Sequence, residues 1–133
     1  MSKIVYVGAF LDPASIAMLK TWWITKIGKL HPEIKIDHLT FKFGPSQSWL
    51  EEFPFEFGTK VTLKVIGYAE DEVCQAVLID IGNMTCDNKY PHITVAVNGV
   101  PPKYSNRLLS ESEICPISGP DLLATIDGFP RTI

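Results

Sequence analysis

Two short patterns in this chain have residue types and spacing suited to catalysis: His38-Leu39-Thr40 and His92-Ile93-Thr94. The first lies in Asp37-His38-Leu39-Thr40-Phe41-Lys42-Phe43, which alternates like a strand. Side chains alternate across a strand, so Leu39, Phe41 and Phe43 are expected in the core and His38, Thr40 and Lys42 on the opposite face. The second lies in Pro91-His92-Ile93-Thr94-Val95-Ala96-Val97. There Ile93, Val95 and Val97 point inward by the same parity, and His92 and Thr94 share the other side. Each strand then presents one imidazole and one hydroxyl, roughly 7 Å apart along the backbone. A single His-x-Thr carries little weight, because any polar strand face accommodates both residues. Threonine fills 9 of 133 positions. Two such pairs among three histidines arise in roughly 1–2% of shuffled chains.

Histidine is the side chain that titrates near neutrality, so one ring can be neutral while another is protonated. The neutral ring removes a proton from an attacking oxygen, and the protonated ring supplies one to a leaving oxygen. The hydroxyls of Thr40 and Thr94 would donate to the non-bridging oxygens of a phosphate, where charge gathers in the transition state. This is the equipment of metal-free phosphodiester cleavage. Neither a metal nor a cofactor is expected.

The elements that must position these groups are also legible. Residues 4–11 form an apolar strand. Asp12 offers an N-cap and Pro13 suits the first helical position, opening a helix to about Ile27 with Gly28 as its stop. Its buried stripe is Ile16, Leu19, Trp23 and Ile27, widened by Met18 and Trp22. Residues 35–43 are a strand, and 45–53 hold a short helical turn with Trp49 and Leu50. Strands at 59–68 and 73–81 make a hairpin whose acidic tip, Glu70-Asp71-Glu72, is expected to be solvated. A loop at 82–89 precedes the second motif strand. Ser105 is expected to cap a helix to Leu109, and a last strand lies near 122–126.

The chain is 46% hydrophobic and 20% charged, with a formal net charge of −3. That excludes disorder and argues against long polyanionic partners, which need a broad excess of Lys and Arg. A small anionic ligand, held by a few local groups, remains a suitable partner. Three cysteines without C-x-x-C spacing suggest reduced thiols and a cytoplasmic protein, and no stretch is long enough to span a membrane. At this length one domain is expected over 1–133, and each half of the chain carries one motif strand. Oligomeric state is open.

The motif pair, HLTFKFGP around the first, and GYAEDEVCQAVLID followed by PHITVAVNGVPPKYSN around the second resemble the 2H phosphoesterase superfamily. The likeness extends over nearly the whole chain, to a compact branch found alone or near RNA-repair domains, with viral members. It implies an α+β, two-lobed, pseudo-symmetric fold with antiparallel sheets around a central cleft, with lobes at roughly 1–67 and 68–133 that each supply one motif. It also implies metal-independent hydrolysis or opening of cyclic phosphates or of phosphodiesters beside a 2′-hydroxyl, with a small nucleotide or an RNA terminus as the partner. By position, His38 and His92 would be the acid–base pair, with Thr40 and Thr94 as phosphate ligands. Larger members carry a substantial helix before the second motif, for which 82–89 leaves no room. Alternatives are a viral nuclease that degrades cyclic oligonucleotide messengers in the host cytoplasm, and a nucleotide-binding sponge without turnover. A purely structural domain is a third.

Around the motifs, Lys42 is a candidate phosphate contact. Tyr104, Tyr6 and Trp49 are candidate substrate contacts, Tyr104 by stacking on a base. His31, in a loop before Pro32, is expected to be solvated.

Overall fold

The computed structural model describes residues 4–131. Chain order is β1 (Tyr6–Leu11), α1 (Pro13–Lys26), β2 (Glu33–Ile34), β3 (His38–Phe43), α2 (Gln47–Glu52), β4 (Lys60–Glu70), β5 (Cys74–Asp80), β6 (His92–Val97), α3 (Tyr104–Glu111), β7 (Cys115–Pro116) and β8 (Asp121–Phe129). The fold is α+β. Its strands form one antiparallel sheet ordered β2-β6-β5-β4-β8-β1-β3, with β7 paired to β4. The hairpin of β4 and β5 is where the alternating pattern predicts it. β8, late in the chain, pairs with both β4 and β1 and so joins the two halves of the sheet.

One face of the sheet carries the main core. Val7, Ala9 and Leu11 of β1 meet Leu39 and Phe41 of β3 there, with Val77, Ile79, Ile93 and Val95 from β5 and β6. α1 covers this core with Leu19 and Trp23, both fully buried. The stripe is narrower than the sequence suggests: Ile16, Trp22 and Ile27 are only partly buried, and Met18 is exposed. α3 packs a second, smaller cluster, in which Leu108 and Leu109 close over Ala69, Cys74, Ala76 and Val97. No helix among the described residues is long and apolar enough to cross a membrane.

Several local expectations are replaced by tertiary contacts. Asp12 occupies the N-cap position, yet its side chain makes no cap bond. Its carboxylate instead accepts from Lys60 Nζ at 3.1 Å and Thr125 Oγ1 at 3.2 Å. His31 is not solvated: its backbone N–H donates to Gln75 Oε1 and its Nε2 bonds the Asp71 carbonyl oxygen, both at 2.8 Å. Asp71 is more than a hairpin tip, because Oδ1 accepts from the backbone N–H groups of Val73 and Cys74 at 2.9 and 2.8 Å. These bonds pin the loop before β2 to β5.

β3 and β6 lie far apart in the sheet order, but the sheet curls until they pack together. Two connections hold them there. The strand β2 pairs with β6, Lys35 N–H donates to the Val95 carbonyl at 2.8 Å, and β3 begins at His38. Three extended residues reach at most ~11 Å, so the start of β3 is tethered close to β6. From the other side, the helix-free loop before β6 touches β3, where the Cys86 thiol donates to the Thr40 carbonyl at 3.1 Å and Asp87 N–H to that of Phe41 at 3.0 Å.

Candidate active site

His38, Thr40, His92 and Thr94 all line one cleft of about 670 Å³. Tyr6, Lys35, Asp37, Phe43, Asn88 and Lys103 are also on its wall. His38 is opposite Phe10 and Thr40 opposite Gly8 on β1, while His92 is opposite Leu78 and Thr94 opposite Ala76 on β5. Each motif therefore sits on a strand paired along its length, and not on a free loop.

Both histidines are oriented through Nδ1. His92 Nδ1 is 2.8 Å from the Tyr90 carbonyl oxygen, and His38 Nδ1 is 2.8 Å from Asp37 Oδ2. A carbonyl and a carboxylate only accept, so Nδ1 carries the proton in both rings and Nε2 is left for the cleft. Burial pushes the His92 pKa below the usual imidazole value, the Tyr90 carbonyl offsets part of that, and the nearby His38 lowers it further. His38 is more open, its side chain 28% exposed beside Asp37. Its ring stacks on Tyr6 with centroids 4.8 Å apart. Burial, with Asp37 adding to it, raises Tyr6 to about 12, so the phenol stays neutral and serves as a wall.

The two threonines differ in their bonding. Among the described residues Thr40 Oγ1 has no hydrogen-bond partner, so its proton is available to a ligand. Thr94 Oγ1 lies 2.6 Å from Ser105 Oγ and 3.2 Å from the Pro102 carbonyl oxygen, and Ser105 Oγ lies 2.9 Å from that same oxygen. Two hydroxyls and one carbonyl share two protons. If Ser105 donates to Pro102, Thr94 must donate to Ser105. If Ser105 donates to Thr94, the Thr94 proton goes to Pro102 or to a ligand. Only the last arrangement makes Thr94 a donor into the cleft, with its O–H strengthened by the bond it accepts. Ser105 is fully buried inside α3, after Lys103 at the N-cap, and is not the cap itself. The sequence gives no sign of this role, because the contact depends on how α3 packs over β6.

The remaining sequence candidates separate. Tyr6 reaches the cleft. Lys42 does not share the face of Thr40: it is opposite the buried Val7, and its Nζ is 3.1 Å from Asp87 Oδ2. The cause is a bulge. Val7 pairs with Lys42 and Gly8 with Thr40, so Phe41 is skipped and the parity beyond it reverses. The same reversal moves Phe43 out of the expected core to the cleft wall, where it is 71% exposed. β6 has a matching bulge: Gln75 pairs with Ala96 and Ala76 with Thr94, which skips Val95. Beyond it Ala96 joins the main core and Val97 packs under α3. Tyr104 is turned away from the cleft, its hydroxyl donating to Asp71 Oδ2 at 3.2 Å. Trp49 is a packing residue, stacked on Phe53 with centroids 4.8 Å apart.

Lys35 and Lys103 make no ion pair among the described residues. With Asp37 as the carboxylate on the wall, they leave the cleft with a local cationic excess suited to an anion, within a chain of negative net charge. No group of three or more His, Cys, Asp or Glu placed to hold a metal ion occurs among the described residues.

No curated protein matches the chain. A family model does: the fungal tRNA ligase phosphodiesterase domain, over residues 45–118, more than half of the chain. The matched region holds the second motif, α3 and the β4–β5 hairpin, while the first motif precedes it. The chain belongs to the fungal tRNA ligase phosphodiesterase domain family, whose domains are of the 2H phosphoesterase type.

Proposed function

We propose that the cleft opens a cyclic phosphate at the end of an RNA or on a small nucleotide by two-histidine acid–base catalysis, without a metal. The observation that carries this reading is the pair His38 and His92, on the wall of one cleft with each Nδ1 held by an oxygen acceptor. Buried His92 is the base: its lowered pKa keeps Nε2 unprotonated at neutral pH, ready to take a proton from water. His38 is the acid. The Asp37 carboxylate holds its ring and faces the charge it carries when both nitrogens are protonated.

Water attacks phosphorus as His92 Nε2 takes its proton, and the P–O bond to one ribose oxygen breaks. His38 delivers its Nε2 proton to that oxygen, giving a ribose hydroxyl and a phosphate monoester. Thr40 and Thr94 donate to the two non-bridging oxygens, with Lys35 and Lys103 at the wall of the cleft. The family points to an RNA end over a cyclic oligonucleotide messenger, and intact acid–base machinery favours turnover over a sponge.

The test is product analysis on nucleoside 2′,3′-cyclic phosphates, cyclic oligonucleotides and RNA ending in a cyclic phosphate. Conversion of cyclic ends to monoesters, lost in His38→Ala and in His92→Ala, supports the reading. Full turnover by either variant, or tight binding with the ligand intact, overturns it.

A further inference from the structure

We propose that Arg131 is a positioning residue for His38: its guanidinium clamps the Phe10 ring, which backs the imidazole and keeps Nε2 aimed at the leaving oxygen. This rests on the reading of His38 as the acid of a phosphodiester site. The need for a clamp follows from how differently the two histidines are held. His92 is buried, whereas the His38 side chain is 28% exposed. The bond from Nδ1 to Asp37 fixes one point of the His38 ring and leaves its plane free to turn about that point. An acid that turns away misses the oxygen it must protonate, and small displacements of a reacting group cost rate steeply.

Neighbouring rings supply the second constraint. His38 and Phe10 are directly opposite on β3 and β1, so both side chains rise from one face of the sheet. Their ring centroids are 5.4 Å apart, and Tyr6 stacks on the imidazole at 4.8 Å. Tyr6 is held in turn by Phe129, at 5.2 Å with the rings nearly parallel. Phe10 gets the corresponding hold from Arg131, whose Cζ is 4.7 Å from its ring centroid. A guanidinium is planar and packs against an aromatic face, so it fixes the tilt of the ring as a flexible aliphatic chain would not. Arg131 is itself anchored, with Nε 3.5 Å from Oδ2 of Asp127, a fully buried carboxylate on β8. Contacts therefore run from Asp127 through Arg131 and Phe10 to the acid. Neither Arg131 nor Phe10 lines the cleft, so Arg131 acts through His38 and not on the substrate.

The experiment measures turnover of a nucleoside 2′,3′-cyclic phosphate by wild type, Arg131→Met, Arg131→Lys and Phe10→Leu, with each variant also combined with His38→Ala. Arg131→Met is expected to lower kcat about tenfold, the effect of one lost cation–π contact, with KM unchanged. Arg131→Lys is expected to recover part of it. Phe10→Leu leaves the pair of Arg131 and Asp127 in place and is expected to show the same loss, so the outcome does not depend on Arg131→Met folding well. In the His38→Ala background none of these changes should lower the residual turnover further. By NMR, the ring protons of His38, shifted by the rings of Tyr6 and Phe10, should move in Arg131→Met and Phe10→Leu while those of His92 stay. An unchanged kcat, unmoved His38 resonances, or an equal loss with and without His38 overturns the clamp while the phosphodiester reading stands. A raised KM at unchanged kcat would make Arg131 a substrate contact and also overturns it. A wild type without turnover overturns both.

Discussion

Phe41 and Val95 hold the same place in two different strands: each directly follows a motif threonine, and each is skipped in the pairing with its neighbour. A bulge increases the local twist and re-aims the side chains around it. Here both bulges fall one residue past the cleft-facing Thr40 and Thr94. The residues beyond them take new partners, with Lys42 turned to Asp87, Phe43 to the cleft wall and Val97 to α3. The two motifs thus share a backbone device as well as a residue pattern.

If His92 is the base and His38 the acid, neither can be replaced by the other. His38→Ala and His92→Ala should each lower turnover of a nucleoside 2′,3′-cyclic phosphate by about 10²–10⁴-fold. The double variant should be scarcely worse than the poorer single one, because the two groups act in one step. Steady-state rates on the three proteins decide this.

The base must be neutral, and His92 holds its proton less tightly than an ordinary imidazole. kcat should therefore fall on the acid side with a midpoint below about 6.5. Stability follows the same sign. In the unfolded chain the imidazole is protonated as pH drops through about 6.5, while in the fold it resists, so the unfolded state binds more protons in that window. The stabilisation is fully present above about 6.5 and is lost as pH falls toward the folded value. Wild type should lose more melting temperature between pH 7.5 and 5 than His92→Gln does. Equal losses would count against a depressed pKa.

Ser105 decides where the Thr94 proton goes. Removing its hydroxyl leaves Thr94 to donate to Pro102 and takes away the bond that strengthens it. Ser105→Ala should lower kcat about tenfold with little change in KM, and Ser105→Thr, if the added methyl is tolerated, should recover part of it. A purely structural serine would shift melting temperature without this split between kcat and KM.

Gly8 is opposite Thr40, and a Cβ there would stand 2.5 Å from the Leu39 carbonyl oxygen, a backbone atom that cannot swing aside. Gly8→Ala should force β1 and β3 apart and cost about 1–3 kcal/mol in denaturant unfolding. It should also reduce activity beyond what the stability loss explains, since β3 carries His38 and Thr40.

The parts of this site that could be read in the sequence are those governed by local periodicity. His38, Thr40, His92 and Thr94 alternate with buried Leu39 and Ile93, and period-2 alternation needs no tertiary knowledge. The α+β character and the β4–β5 hairpin were legible for the same reason. The faces of Lys42 and Phe43 were not, because a one-residue bulge inverts every position beyond it and has no residue signature here. His31, Tyr104 and Ser105 depended on partners 44, 33 and 11 positions away, at Gln75, Asp71 and Thr94. Trp49 was ambiguous because an aromatic residue packs as readily as it binds.

The insertion of β8 between β4 and β1 also bears on how the molecule comes into being. On the ribosome, the segments carrying both histidines emerge well before the strand that bridges them. Until that strand arrives, neither neighbour has its partner along that edge, and the nascent chain holds the parts of a catalyst without the seam that joins them. A chain truncated before Asp121 should therefore be inert, even though it contains all four motif residues.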